Sequence, residues 1–185
     1  SGILAASQQP GSGISLVALF DNEEIGSRTK QGAGSGILLQ VLERIYTGLG
    51  EEVTKIWPSI NNGFMLSVDV AHGLHPNYTE KADPTNRPLL NEGVVLKQAA
   101  SQAYAGDAEA VAIVAALCEE NGIPYQHFVN NSDQPGGSTL GSIASVLVPI
   151  RTMDIGVPIL AMHSARETMG AVDQLSLNKL LQCFF

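Results

Sequence analysis

Side chains that could bind a metal ion follow three apolar segments of the sequence. Ligands of parallel α/β sheets bind beyond the carboxyl ends of the strands, so three such segments running side by side would bring their final side chains together. Two carboxylates and one imidazole are a ligand set suited to Zn²⁺ and acceptable to Co²⁺ or Mn²⁺. The segments are ISLVALF, FMLSV and PILAM, and the side chains that follow them are Glu24 (beside Glu23), Asp69 and His163.

The adjacent Glu23 and Glu24 would have separate roles. Neighbouring side chains on an extended backbone point to different sides, so both cannot bind one metal in the same way. One can coordinate the ion while the other acts as general base towards an attacking water. On spacing alone the alternative stays open: an acidic pair after a strand also suits a solvated loop or a helix cap, and His163 suits a hydrogen-bonded structural role.

Composition predicts a globular, intracellular domain. The 185 residues are 44% hydrophobic and 15% charged, which is typical of a packed protein. The formal net charge of −8 disfavours nucleic acid and anionic membranes as partners. Cys118 and Cys183 form no CxxC motif, which favours a reducing cytoplasm over disulfides or a zinc–thiolate site. The start lacks signal-peptide features, and no apolar run approaches the roughly 20 residues of a membrane span.

Strands and helices are predicted to alternate along the chain. Such alternation favours an α/β fold, a three-layer sandwich with a mostly parallel central sheet. Residues 73–93, rich in proline, asparagine and charge, are predicted to form a long loop. The predicted strands are ISLVALF (after a QQPGSG turn), GFMLSVDVAH, IPYQHFVN and GVPILAM; the predicted helices are ILLQVLERIYTGLG, GDAEAVAIVAALCEENG with Asp107 as N-cap, a short one in PGGSTLGSIASVL, and VDQLSLNKLLQCF.

Four blocks of the sequence together resemble one protein family. In chain order they are DNEEIGS, SVDVAHGLHPNY, SDQPGGSTLG and AMHSARE. They resemble the M18 family of zinc aminopeptidases, the aspartyl aminopeptidase group. The resemblance implies a zinc-exopeptidase-like core, two Zn²⁺ ions in one site, and release of N-terminal, typically acidic, residues from peptides. It also implies large homo-oligomers.

The resemblance assigns roles to individual residues. Glu23 matches the general base, and Glu24, Asp69 and His163 match metal ligands. Lys97 matches the basic residue that meets the acidic side chain of the substrate. The alternative for Lys97 is an ordinary surface lysine on a helix.

Two further residues match substrate contacts of the family. Tyr104 is similar to a residue that contacts the substrate, and His72 is similar to one near the scissile carbonyl. His75 is a weaker candidate for the same region. For both histidines the alternative is a hydrogen bond that orders the loop.

The glycine-rich stretches allow a different interpretation. Glycines before a helix expose N–H groups that can hold an anion such as phosphate, as in an anion-binding α/β hydrolase. GGSTLG lacks the ending of a P-loop, however, and GAGSG lacks the spacing of a dinucleotide fingerprint. We therefore favour close backbone packing beside the site, with Asp133 orienting a metal ligand.

The sequence also departs from the family pattern. Members carry a histidine ligand and a bridging aspartate upstream of the Glu23 block, as well as an inserted β-rich domain, and residues 1–20 contain none of these. We expect residues 1–185 to be a single, partial catalytic domain that by itself binds metal weakly and hydrolyses peptides poorly. The alternative is a non-catalytic binding or assembly module that keeps the fold.

Overall fold

The computed structural model describes residues 2–8, 11 and 13–185, and in these ranges helices and strands alternate. Part of the predicted QQPGSG turn lies outside the described residues. Short 3₁₀ turns lie at Glu23–Ile25, Val53–Lys55 and Thr79–Lys81. The helices are α1 (Gly2–Ala6), α2 (Ile37–Gly48), α3 (Ile56–Asn62), α4 (Ala108–Glu120), α5 (Leu140–Leu147) and α6 (Ala171–Phe184); the strands are β1 (Phe64–His72), β2 (Val94–Gln98), β3 (Tyr125–Val129), β4 (Arg151–Leu160) and β5 (Thr168–Met169).

The strands form one mixed sheet in the order β1-β4-β2-β3, with β5 paired to β4. β1 and β4 are parallel over nine residue pairs, and β2 and β3 are parallel over five. β4 pairs antiparallel with β2 and with β5 over two residue pairs each. Most of the paired length is therefore parallel, and the structure confirms the predicted α/β class.

One face of the sheet is apolar and packs against α4 and α6. Alternate residues of the strands point to this face, as the two-residue period of a strand requires. The N-cap of α4 is Asp107, as predicted, because its side chain accepts a hydrogen bond from the Ala110 N–H at 2.7 Å. The buried residues of this core are Val94, Leu96, Ala110, Val114, Cys118, Ile123, Met153, Ile155, Val157, Ile159, Leu177 and Leu180.

The opposite face is covered in part by α5. Gly141 of this helix approaches Ser67 of β1 and Asp154 of β4 so closely that a Cβ atom would lie 2.5 Å from the Ser67 Cβ. Beyond it, α2 and α3 enclose a smaller core around Ile56 and Ile60. Helices thus lie on both faces, as expected for a three-layer sandwich.

Three details differ from the prediction. Residues 14–20 have no regular secondary structure and pair with no strand in the described part of the chain, and Leu19 is 93% exposed. An apolar, β-branched segment forms a strand only where another strand pairs with it. Strand β2 was not predicted, because short apolar runs do not distinguish strand from helix. β4 begins at Arg151, five residues before the predicted strand.

Among the described helices, none has the length and apolar character needed to cross a bilayer.

Candidate functional site

A tight 3₁₀ turn, Glu23–Ile25, presents the two adjacent glutamates. It follows Asn22, whose φ of 60° lies in the left-handed region that asparagine tolerates better than most residues. The Asn22 Oδ1 accepts hydrogen bonds from Thr29 Oγ1 at 2.8 Å and from Gln31 Nε2 at 2.9 Å. The chain after the glutamates therefore folds back and fixes the turn.

The glycine-rich passage serves this fold-back. The Gly34 N–H donates to the Ser27 carbonyl at 3.0 Å, and a Cβ atom at Gly32 would lie 2.4 Å from the same oxygen. Only glycine allows this approach. The passage packs backbone against backbone, which agrees with the interpretation favoured over a phosphate-binding loop.

Strands β1 and β4 bring Asp69 and His163 to the same edge of the sheet. Asp69 pairs with Gly156 and lies within β1, three residues before its end, inside the predicted strand GFMLSVDVAH. His163 follows the end of β4 with a φ of 67°, and its backbone N–H donates to Glu167 Oε1 at 2.5 Å. Since β1 and β4 run in the same direction, both residues belong to the edge at which these strands end.

The three predicted metal ligands are only partly assembled. Glu24 Oε2 lies 3.1 Å from His163 Nε2, and both side chains are about 70% exposed (73% and 70%). The Asp69 Oδ2 lies instead 3.4 Å from the Lys97 Nζ. Within the described residues, no three histidine, cysteine or acidic side chains are arranged around one metal position. Glu24 and His163 have the donor chemistry and the proximity that zinc needs, and Asp69 would have to turn from Lys97 to join them.

Glu23 lies in the electrostatic field of all these groups. Partial burial raises the pKa of its carboxyl above the ordinary value, and the negative charges of Asp69 and Glu24 raise it further. Lys97 and His163 lower the pKa of Glu23 and oppose this shift. Carboxyls with raised pKa values are stronger proton acceptors once ionised, which suits a general base.

Lys97 is buried in strand β2, so the alternative of an ordinary surface lysine on a helix does not apply. Its side chain is 4% exposed, and Nζ donates to the Val70 carbonyl at 2.8 Å. The same Nζ lies 4.7 Å from the centre of the Tyr104 ring, within cation–π range. Strand β4 lies between β2 and β1, and its Gly156 is paired with Val95 of β2 on one side and with Asp69 of β1 on the other. Because glycine has no side chain, β4 places none between Val95 and Asp69.

His72 lines a cavity of about 400 Å³ beside the site. Desolvation lowers the pKa of its imidazole, and the positive charges of Lys97 and His163 lower it further. The cavity lies between the 73–93 loop, the end of β3 and the end of β4. His75 also lines it, but its Nδ1 accepts from the Asn77 N–H at 3.1 Å, which is the loop-ordering alternative.

A buried carboxylate that the sequence interpretation missed lies beneath the site. Asp154 of β4 is fully buried, and its Oδ2 accepts from the Thr139 hydroxyl at 2.7 Å and from the Ala105 N–H. Its position in RTMDIGVPIL was a usable sign, because an unpaired charge inside an apolar strand is costly. Asp133, which we expected to orient a ligand, lies in an exposed segment.

An α/β sandwich with carboxylates and an imidazole at one sheet edge is typical of metal-dependent hydrolases. The chain belongs to the M18 family of metallopeptidases, because the family model described as "Aminopeptidase I zinc metalloprotease (M18)" matches residues 1–185.

Relatives support this membership. The "Probable M18 family aminopeptidase 2" of Clostridium acetobutylicum is 48% identical over 170 residues, which is 92% of this chain and 39% of the relative. The "Aspartyl aminopeptidase" of Dictyostelium discoideum is 40% identical over 176 residues, which is 91% of this chain and 36% of the relative. The chain therefore spans less than two fifths of the length of these curated relatives.

Solved structures share the fold. A cryo-EM structure of the complex of Ape4 and Nbr1 matches with a TM-score of 0.86 and 39% identity, over 90% of this chain and 31% of that chain. The structure of the mApe1 dodecamer from Saccharomyces cerevisiae matches with a TM-score of 0.75 and 32% identity, over 90% of this chain and 36% of that chain.

Proposed function

We propose that the full-length protein is a zinc-dependent aminopeptidase that releases N-terminal residues, preferentially acidic ones, from peptides. The observation that carries the proposal is the grouping of Glu23, the Glu24–His163 pair and the buried Lys97 at one edge of the sheet. The names of the relatives, aspartyl aminopeptidase among them, support the same activity. The acidic net charge of −8 disfavours binding to nucleic acid and to anionic membranes.

Glu24, Asp69 and His163 would hold the zinc, with two ions per site when the ligand set is complete. Carboxylate and imidazole donors fit Zn²⁺, and they would also accept Co²⁺ or Mn²⁺. When bound, zinc lowers the pKa of water and polarises a carbonyl oxygen.

Glu23 is the proposed general base. Its carboxylate takes a proton from the attacking water and returns it to the nitrogen of the leaving amine. His72 contacts the substrate near the scissile carbonyl. Because the pKa of His72 is lowered, its imidazole is neutral at pH 7 and can still donate one hydrogen bond through an N–H.

Lys97 and Tyr104 select the acidic residue at the N-terminus of the peptide. A carboxylate that enters this pocket meets an ammonium group already removed from water, where pairing is strong, and a neutral side chain gains no such charge pairing. The cavity beside His72 has room for the residues that follow in the peptide.

Glu23→Gln in the full-length protein tests the proposal. We expect kcat to fall by roughly 10²- to 10⁴-fold, the usual contribution of general base catalysis, while bound zinc measured by elemental analysis stays unchanged. Retained turnover would exclude Glu23 as the base. Loss of zinc together with turnover would mean that Glu23 is a ligand.

A non-catalytic binding or assembly module is the second candidate. The observation that favours it is the incomplete metal ligand set in the described residues. A peptide-library assay on the full-length protein separates the two, because a module would bind zinc or peptides without releasing any amino acid.

We also propose that the protein forms a homo-oligomer in a reducing, cytoplasmic compartment. The dodecamer of mApe1 supports assembly. Cys118 and Cys183 are both free thiols, and Cys118 is buried, which suits a compartment without disulfide formation.

A further inference from the structure

Asp154 makes two hydrogen bonds to Ala105, which we call the clamp. The backbone N–H of Asp154 donates to the Ala105 carbonyl at 2.8 Å, and the Asp154 Oδ2 accepts from the Ala105 N–H. The two hydrogen bonds hold the peptide groups on both sides of the Ala105 Cα. Ala105 is consequently tied to the centre of strand β4.

Thr139 holds the other side of the same segment. Its hydroxyl donates to the Asp154 Oδ2 at 2.7 Å, and its backbone N–H donates to the Ala103 carbonyl at 3.2 Å. We name residues 103–105 the Tyr104 arm. Hydrogen bonds therefore hold Ala103 and Ala105, the residues on either side of Tyr104. The Asp154 Oδ2 accepts from both the Ala105 N–H and the hydroxyl of Thr139, the residue that holds Ala103.

The Tyr104 ring lies beside Lys97, and its hydroxyl also has a hydrogen bond with the Asn130 side chain. The Tyr104 side chain is buried, 4.7 Å from the Lys97 Nζ, and its ring meets Phe128 edge-on at 6.0 Å between ring centres. Phe128 pairs with Lys97 across β2 and β3, so both side chains emerge on one face of the sheet. The Tyr104 ring thus forms one wall around the Lys97 ammonium.

Burial of the Asp154 carboxyl group lowers the stability of the fold. Asp154 is fully buried, and Ser67 and Gly141 lie beside its Oδ1. Burial raises the pKa of this carboxyl, while hydrogen bonds from Ser67, Thr139 and the Ala105 N–H lower it. Burial of a carboxyl group is costly, so such a group calls for an explanation. Holding the Tyr104 arm beside Lys97 provides one.

We propose that Asp154 is a positioning residue for the pocket that receives an acidic substrate side chain, because it holds the Tyr104 arm against Lys97. This inference rests on the proposed function, in which Lys97 meets that side chain. Asp154 itself does not touch the substrate. Its loss should weaken the preference for an acidic N-terminal residue and leave the remaining steps of hydrolysis largely intact.

The test measures kcat/KM of the full-length protein for two peptides that differ only in N-terminal Glu or Gln. For Asp154→Ala we expect the Glu/Gln ratio to fall about tenfold, mainly through a higher KM for the Glu peptide, with bound zinc unchanged. Asp154→Asn should stay within about threefold of the parent ratio, because the amide oxygen still accepts both hydrogen bonds and the NH₂ can reach Ser67. If Asp154→Ala does not fold, Thr139→Val, which removes the hydrogen bond from the Thr139 hydroxyl to the Asp154 Oδ2, is measured in its place and should lower the ratio by a smaller factor.

Asp173 supplies the matched control. It too is fully buried and accepts two backbone N–H groups, from Asn91 and Gly93, through contacts separate from the Tyr104 arm. Asp173→Ala should lower stability without changing the Glu/Gln ratio. An unchanged ratio in folded Asp154→Ala, or an equal loss for both peptides, overturns the proposal. If Lys97→Met leaves the ratio unchanged as well, the proposed role of Lys97 fails, which is a different result.

Discussion

Lys97 carries a buried positive charge whose contacts come from other strands and loops. Its Nζ donates to Val70, lies 3.4 Å from the Asp69 carboxylate and lies over the Tyr104 ring. Burial of an ammonium group is costly unless it is paired and hydrogen-bonded, and these contacts supply both. A substrate carboxylate would meet this charge without first having to strip its water.

Replacement of Lys97 by Met tests this at the level of one side chain. In the full-length protein we expect the Glu/Gln ratio of kcat/KM to fall roughly 10- to 100-fold, because a hydrogen bond to a charged group contributes about 1.5–3 kcal/mol. Steady-state kinetics on the two peptides gives the ratio, in which any general effect on the site cancels. Lys97→Arg keeps the charge and should preserve part of the preference. A parent-like ratio in Lys97→Met would refute the assignment.

The sequence predicted Glu23, Glu24 and His163 as site residues, because each follows an apolar run and has a side chain suited to metal binding or proton transfer. The structure then placed Glu24 against His163. Asp154 was missed for a physical reason: its partners Thr139 and Ala105 are 15 and 49 residues away in the chain, and no local spacing encodes such a bond.

Among the elements, α4 was the best predicted and residues 14–20 the worst. The limits of α4 follow from local chemistry, since Asp107 caps its start and an apolar stripe packs on the sheet. A strand depends on a partner elsewhere in the chain. Residues 14–20 have the composition of a strand but no partner in the part of the chain that the structure describes.

The first turn of α6 fastens the loop that leads into β2. Asp173 accepts from the Asn91 N–H at 2.7 Å and from the Gly93 N–H at 2.8 Å. For Asp173→Ala we expect a loss of about 1–4 kcal/mol in the free energy of unfolding, because the buried Gly93 N–H and the part-buried Asn91 N–H lose their acceptor. Urea denaturation followed by circular dichroism measures the loss. A change below about 0.5 kcal/mol would show that the two N–H groups find other acceptors or water.

At the scale of the whole molecule, the side of the site that carries Glu23 is open. Val17, Leu19 and Ile25 are 49%, 93% and 76% exposed, and both members of the Glu24–His163 pair face solvent. The family relatives are more than twice as long as this chain. We expect residues from the remainder of a full-length protein to cover this side and to complete the ligand set.

The purified 185-residue chain provides the corresponding test. We expect less than one tightly bound Zn²⁺ per chain and peptide hydrolysis at least about 100-fold slower than that of the full-length protein, because only two of the three proposed ligands, Glu24 and His163, lie together in the described residues. Isothermal titration with zinc and a peptidase assay on both proteins measure the difference. Comparable activity of the two would contradict this expectation.

Gly156 has a consequence for how such an enzyme could diverge. A Cβ atom there would lie 2.7 Å from the Asp69 carbonyl oxygen and 2.9 Å from the Val70 carbonyl carbon, so β1 and β4 already run as close together as their backbones permit. A one-base change from a glycine to an alanine codon would push β1 outward and carry Asp69 and the Lys97 anchor with it. The peptide preference of the proposed enzyme could change in this way during evolution, although every residue that contacts the peptide stays the same.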